Sequence, residues 1–233
     1  LAEENIFHST TVSQTARSCS TMRGPVFFSI ILSVLDAVKN TDAQRKASAL
    51  PFWVNEAVFG PFQNAFENVN RGGNGVYVLL WATYNNDPAA LGQQFKCVIT
   101  YNTKRNALDH TLRSHFKFRN IQSGTTYRKT RISVKAVKYL GYRTIRNAVQ
   151  LDKDGKKFTN ILIFSNGRNC DVFLVPKHKN GCELWVREDW VKRLPLCCVF
   201  IYKMCALGKP TFRIYTAEEC GKKQGAPAVL QPE

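Results

Sequence analysis

The residues whose types and spacing best suit chemistry stand in one run: Cys170-Asp171-Val172, then Glu183-Leu184-Trp185, then Cys198. The segments are short and strand-like, and along a strand successive side chains face opposite ways. If Cys170 points outward to a disulfide, Asp171 points inward, and Glu183 and Trp185 share one face. Acids aimed into an interior beside an indole are costly unless a cation arrives to neutralise them. The chemistry on offer is the binding of a cation. Catalysis has less support. No Gly-x-Ser-x-Gly elbow is present, and His110 and His115 stand on a basic segment that reads as surface. Asp171 and Glu183 mimic a glycosidase acid pair only in residue type. No CxxC pair occurs, and His8, His110, His115 and His178 do not alternate with cysteines. Neither a metal nor a cofactor is expected, and the chain reads as a non-enzyme.

The elements that must carry these residues are strands. Val76 to Tyr84 is rich in β-branched and aromatic residues and is punctuated by Asn85-Asn86-Asp87-Pro88. Strand-length segments follow at Phe95 to Tyr101, Leu112 to Arg119, Thr125 to Val137, Arg146 to Leu151, Phe158 to Phe164, Cys170 to Val175 and Cys182 to Val186. The turns Asp152-Lys153-Asp154-Gly155, Asn166-Gly167 and Asn180-Gly181 separate the later ones. Before the strands, Pro51 to Val69 has a loosely helical apolar spacing broken at Gly60-Pro61. After them, Leu196, Val199, Phe200, Lys203, Met204 and Leu207 recur at helical spacing, stopped by Gly208. The fold class is all-β. The spacing predicts an eight-stranded antiparallel, lipocalin-like barrel with a short N-terminal helix and one C-terminal α-helix packed outside; a two-sheet sandwich is the runner-up. A closed barrel of eight strands leaves room for one small ligand.

Composition bounds the compartment. The 233 residues carry 33 Lys and Arg against 17 Asp and Glu, a net charge of +16. Eight cysteines suggest oxidative folding. Met22-Arg23-Gly24 precedes an apolar run from Val26 to Val38, the pattern of a secretory signal peptide rather than a membrane span. Residues 1–21 read as upstream leader, 22–43 as the signal peptide, 50–220 as the barrel domain and 221–233 as a flexible tail. There is no Asn-x-Ser/Thr sequon. The expected product is secreted and monomeric, with a small-molecule ligand and no membrane or nucleic-acid partner.

Further motifs carry a family resemblance: Ala82-Thr83-Tyr84-Asn85-Asn86-Asp87-Pro88, Phe95-Lys96-Cys97, Gly141-Tyr142, Asp154-Gly155 and Phe158-Thr159, together with the cysteine-framed run. In this order and spacing the chain, from about Pro51 to Cys220, resembles tick salivary lipocalins, above all the histamine-binding proteins. The resemblance implies a secreted barrel that sequesters host inflammatory amines. It implies disulfides Cys97–Cys220, Cys170–Cys198 and Cys182–Cys205. Cys197 is left over, and which of Cys197 and Cys198 bridges to Cys170 stays open. It also implies two amine cavities, Tyr84, Asp87 and Phe158 matching one, and Asp171, Glu183 and Trp185 the other.

The departures from the family pattern bear on affinity. Ile132 and Asn160 stand where acids are expected, Leu91 where a tryptophan is, Leu151 near a missing aromatic, and Gly72 near another acid position. A charge-assisted hydrogen bond contributes roughly 1.5–3 kcal/mol, so one lost acid per cavity weakens an amine about ten- to a hundredfold. Histamine is expected to suffer most, and serotonin to recover energy through ring stacking. Between Lys104 and Lys157 fifteen Lys and Arg face three Asp. Most belong on the solvated face. Were Arg113, Arg128, Arg131, Arg143 or Arg146 to point inward, a carboxylate ligand such as a leukotriene or fatty acid would fit, and this is the main rival. A protein-binding inhibitor of complement or haemostasis is the other, because a basic surface attracts acidic partners. In the blander reading, Asp171 caps a turn or pairs with an arginine, and Trp185 fills the barrel floor.

Overall fold

The computed structural model describes residues 51, 53–67 and 75–221. The expected leader and signal peptide, Gly72 and residues 222–233 of the expected tail lie outside the described residues. Nine strands run in chain order: β1 Tyr77–Ala82, β2 Lys96–Asn106, β3 Thr111–Arg119, β4 Arg128–Val137, β5 Ala148–Lys153, β6 Lys156–Ser165, β7 Cys170–Val175, β8 Gly181–Arg187 and β9 Phe212–Arg213. Each of β2 to β7 pairs antiparallel with the next, and β1 lies between β8 and β2. The pairs Tyr77↔Thr100 and Val78↔Ile99 join β1 to β2 and close eight strands into a barrel. The two-residue β9 adds to the end of β1.

The hairpins follow local chemistry. Between β5 and β6, Asp154 and Gly155 both have positive φ, 53° and 79°, as a two-residue type I′ connection demands. Alternation then sorts the side chains. On β4, Ile132, Val134 and Ala136 are buried while Arg131, Ser133 and Lys135 are exposed. On β7 and β8 both faces are buried, because a helix covers the outside of this part of the barrel.

That helix, α2 at Leu196–Cys205, follows a one-turn α1 at Glu56–Phe59 and precedes a one-turn α3 at Ala217–Cys220. On α2, Cys198, Tyr202 and Cys205 fall at i, i+4 and i+7, one stripe of a helix. Cys198 bonds to Cys170 of β7, and Cys205 to Cys182 of β8. Cys197, one residue off the stripe, is buried and takes no part in these bridges. Helical geometry thus selects Cys198 over its neighbour. A third bridge, Cys97–Cys220, ties the start of β2 to α3.

The N-terminal segment closes one end of the barrel. Gln63 is fully buried and donates to the carbonyls of Trp53 (3.1 Å) and Ile163 (2.9 Å), while its own oxygen accepts from the Tyr142 hydroxyl at 2.5 Å. Ala65 joins the inner cluster of Leu112, Ile132, Val134, Val149 and Leu162. Glu56 accepts from the backbone N–H groups of Arg143, Thr144 and Ile145 and from the Thr144 hydroxyl, at 2.5–2.7 Å. These bonds, the one from Arg143 first, lower its pKa from 4.5 to about 2.

Two tests follow. A carboxylate whose pKa is lowered on folding stabilises above its unfolded value and loses that contribution as the pH falls through the folded one. Glu56→Gln should therefore raise hydrogen exchange at residues 143–145 at neutral pH, and the difference from the native chain should fade between pH 4.5 and about 2. Cys97–Cys220 spans 123 residues and Cys182–Cys205 spans 23. The loop-entropy relation then makes removal of the first cost about 1.5 kcal/mol more than removal of the second, readable by denaturant unfolding of the two double-alanine variants.

Candidate functional site

Alternation directs the inner faces of the strands onto a cavity of about 130 Å³. An engineered apolar cavity of about 150 Å³ takes a benzene ring, so this space suits a ligand of one or two small rings. All six expected binding residues, Tyr84, Asp87, Phe158, Asp171, Glu183 and Trp185, line it. So do Ile132, Leu151, Asn160 and Leu91, four of the five positions that the resemblance implies are departures from the family pattern. The two expected cavities are here one continuous space with two ends.

One end is built from β7, β8 and the strands opposite. Asp171 is a register partner of Trp185, and the Trp185 ring meets Phe116 edge-on at 6.1 Å. Thr100, Asn102 and Ser114 complete this polar end, with the Ser114 hydroxyl donating to the Asn102 side chain at 2.5 Å. The Thr100 Oγ1 is buried without a hydrogen-bond partner.

Glu183 stands between the ends. The Trp185 indole N–H donates to its Oε2 at 2.9 Å, and the Tyr84 hydroxyl donates to its Oε1. Both donors are uncharged, and the ion pairs of the described residues do not include Glu183. Burial raises the Glu183 pKa from 4.5, more than these hydrogen bonds lower it. Tyr84 is raised well above 10, first by burial and then by the Glu183 charge. Each carboxylate oxygen keeps a second lone pair, so Glu183 can still accept from a ligand. Sequence reasoning had grouped Glu183 with Asp171 and Trp185; the structure couples it equally to Tyr84, across the register pair Ala82↔Glu183.

Gly181 lets Tyr84 reach this position. A Cβ there would stand 2.8 Å from the Tyr84 ring and 3.1 Å from the His178 carbonyl. The Tyr84 ring stacks on His178 with centroids 3.9 Å apart.

At the other end the Asp87 carbonyl accepts from the N–H groups of Ala90, Leu91 and Gly92, which winds the loop after β1 over the barrel. The Asp87 carboxylate takes Lys177 Nζ at 2.9 and 3.0 Å and lies 3.5 Å from His178 Nε2. Burial pushes the Asp87 pKa up, but His178 and Lys177 outweigh it and hold the value below 3.8. Phe158 packs its ring under the same Lys177 ammonium at 3.8 Å. Sequence reasoning missed Lys177 and His178, which lie on a 3-10 turn, Pro176–His178, after β7. Turn residues of that polar type carry no inward signal.

The five arginines of the carboxylate-ligand reading do not line the cavity. Arg113, Arg128, Arg131 and Arg143 are exposed and Arg146 is half-buried; on β3 and β4 the neighbours Leu112 and Ile132 take the inward positions, while Arg143 and Arg146, expected on strands, lie between β4 and β5. The cations that do line it are Lys153 and Lys177. Lys153 donates to the Ala90 carbonyl at 3.0 Å. Among the described residues no cluster of His, Cys, Asp and Glu is arranged to hold a metal, and no helix is long and apolar enough to cross a membrane.

A closed eight-stranded barrel with an outer helix and a ligand-sized inner cavity defines a lipocalin-like binding protein. The chain belongs to the tick histamine-binding protein family, whose model matches residues 53–222. It is 30% identical over 198 residues to the male-specific histamine-binding salivary protein of Rhipicephalus appendiculatus, covering 81% of this chain and 96% of that one. It is 30% identical over 171 residues to the female-specific histamine-binding protein 1 of the same tick, covering 72% and 87%. Among solved structures it resembles AM182 in complex with serotonin, with a TM-score of 0.50, 23% identity, and coverage of 74% of this chain and 97% of that one. That likeness confirms the barrel fold.

The site yields a stability test. A carboxyl whose folded pKa is raised contributes most below its unfolded value, and the contribution is lost as pH rises through the folded one. Glu183→Gln, neutral throughout, keeps both contacts if the Tyr84 hydroxyl turns to accept. The ligand-free variant should melt above the native chain at neutral pH. The gap should close below pH 4.5.

Proposed function

We propose that this chain is a secreted salivary lipocalin that sequesters a small aromatic amine of the host, holding the ammonium at Glu183 and the ring against Trp185. The observation that carries this reading is Glu183 itself: a buried carboxylate in a ligand-sized cavity, hydrogen-bonded only by uncharged donors. A charge left in that state costs stability, and a bound cation removes the cost. The names of the relatives support an amine, since histamine is named for two of them and serotonin for the structural neighbour. Three disulfides fit an oxidising compartment.

Apolar Ile132, Leu151 and Leu91 in the wall favour a larger ring over imidazole. The proposal therefore places serotonin ahead of histamine. A lipid mediator is the weaker reading. Asp87, Asp171 and Glu183 outnumber Lys153 and Lys177 in the lining.

Calorimetric titration with serotonin, histamine and a leukotriene tests the proposal. Serotonin should bind most tightly. Asp171→Asn with Glu183→Gln should weaken it at least tenfold, as expected for loss of charge-assisted hydrogen bonds of about 1.5–3 kcal/mol each. Affinity should already fall as the pH is lowered toward 4.5, since Glu183 takes its proton above that value. Leukotriene uptake without amine binding would sink the reading. Failure of all three ligands with capture of a plasma protein would move the function to inhibition.

A further inference from the structure

The Asp87 end of the cavity has the composition of an ammonium site, and an ammonium is already in it. Lys177 Nζ sits 2.9 and 3.0 Å from the two oxygens of Asp87 and 3.8 Å from the centre of the Phe158 ring. A carboxylate on one side and a π face on the other is how proteins recognise a primary amine. The side chain belongs to the chain itself. It rises from the turn Pro176–His178, where Pro176 fixes the backbone and Lys179 and Asn180 return it to β8 with positive φ.

The partners are held in place without Lys177. Asp87 is anchored by its own loop, whose three N–H groups bond its carbonyl. Phe158 is a register partner of Leu151 on β5. The cage is therefore part of the barrel wall, and the lysine fills it from the turn. The Lys177 side chain keeps 26% of its exposure while Asp87 keeps 8%, so the acid is committed to the interior and the lysine is the component with a path to solvent.

We propose that Lys177 is a tethered occupant of the amine subsite formed by Asp87 and Phe158, which closes that end of the native barrel to a free amine. The inference rests on the amine reading of the cavity and adds the residue that closes one end of it. Histamine and serotonin each carry one primary ammonium, the same group that Lys177 supplies. A free amine reaching this end meets a carboxylate already paired and a ring face already covered.

Titration calorimetry with histamine, an amine of one small ring, on the native chain, Lys177→Met, and Lys177→Met with Asp87→Asn tests it. Methionine keeps the apolar stem and removes the charge. The expected stoichiometries are one, two and one. If native and Lys177→Met both bind one equivalent, the inference is overturned and the Glu183 reading stands. If the native chain binds none and Lys177→Met binds one equivalent that Asp87→Asn abolishes, the inference stands and the Glu183 reading falls. If neither chain binds histamine, the inference is overturned. A second readout needs no ligand. After reductive methylation with ¹³C, which keeps the charge, the Lys177 methyl signal should be shifted upfield by the Phe158 ring and should return to the position of exposed lysines in Asp87→Asn. An unshifted native signal would also overturn the inference.

Discussion

A carboxylate enclosed by hydrocarbon is tolerated only when its surroundings are fixed, and the barrel is built to fix those of Glu183. Its indole and phenol donors come from β8 and from the loop after β1, so they meet only when the sheet is closed. The outward faces of the same strands are clamped to α2 by Cys170–Cys198 and Cys182–Cys205. The residue after each bridged strand cysteine, Asp171 or Glu183, must then point inward. A one-residue slip would turn both acids outward. The two staples therefore set which face of β7 and β8 the cavity sees.

The two ends of the cavity are electrostatically unlike. Asp87 is satisfied from within by Lys177 and His178, and its pKa falls. Glu183 is satisfied by neutral donors, and its pKa rises because burial dominates. Paired charge contributes to the fold. The unpaired charge is a cost that a ligand's ammonium would remove. Positions where the family pattern has further acids are here Ile132 and Asn160, which reduces that cost and narrows the cavity's appetite for cations.

Much of the barrel was legible in the residues. Cys170–Val175 was read to the residue, because alternation, a turn signal and a cysteine coincide there. The eight-strand order followed from hairpins joined without helices, and the ambiguity at Cys197 and Cys198 was resolved only by the i, i+7 stripe of α2. Inward and outward faces could be inferred from alternation, and the exposed Arg113 and Arg131 obey it. Height along the barrel axis could not. It depends on register, which bulges shift between Leu79 and Trp81 and between Leu162 and Phe164. Glu183 consequently meets Tyr84 as well as Trp185, and Lys177, read as a turn residue, reaches Asp87 ninety positions earlier in the chain.

The central claim is that a ligand's ammonium completes Glu183. A crystal structure of the chain grown with serotonin tests it most directly. The account predicts one serotonin in the barrel, its amine nitrogen within hydrogen-bond distance of the Glu183 carboxylate and its ring beside Trp185, with Lys177 still on Asp87. A serotonin whose amine lies away from Glu183, or a barrel that stays empty at saturating ligand, would contradict it.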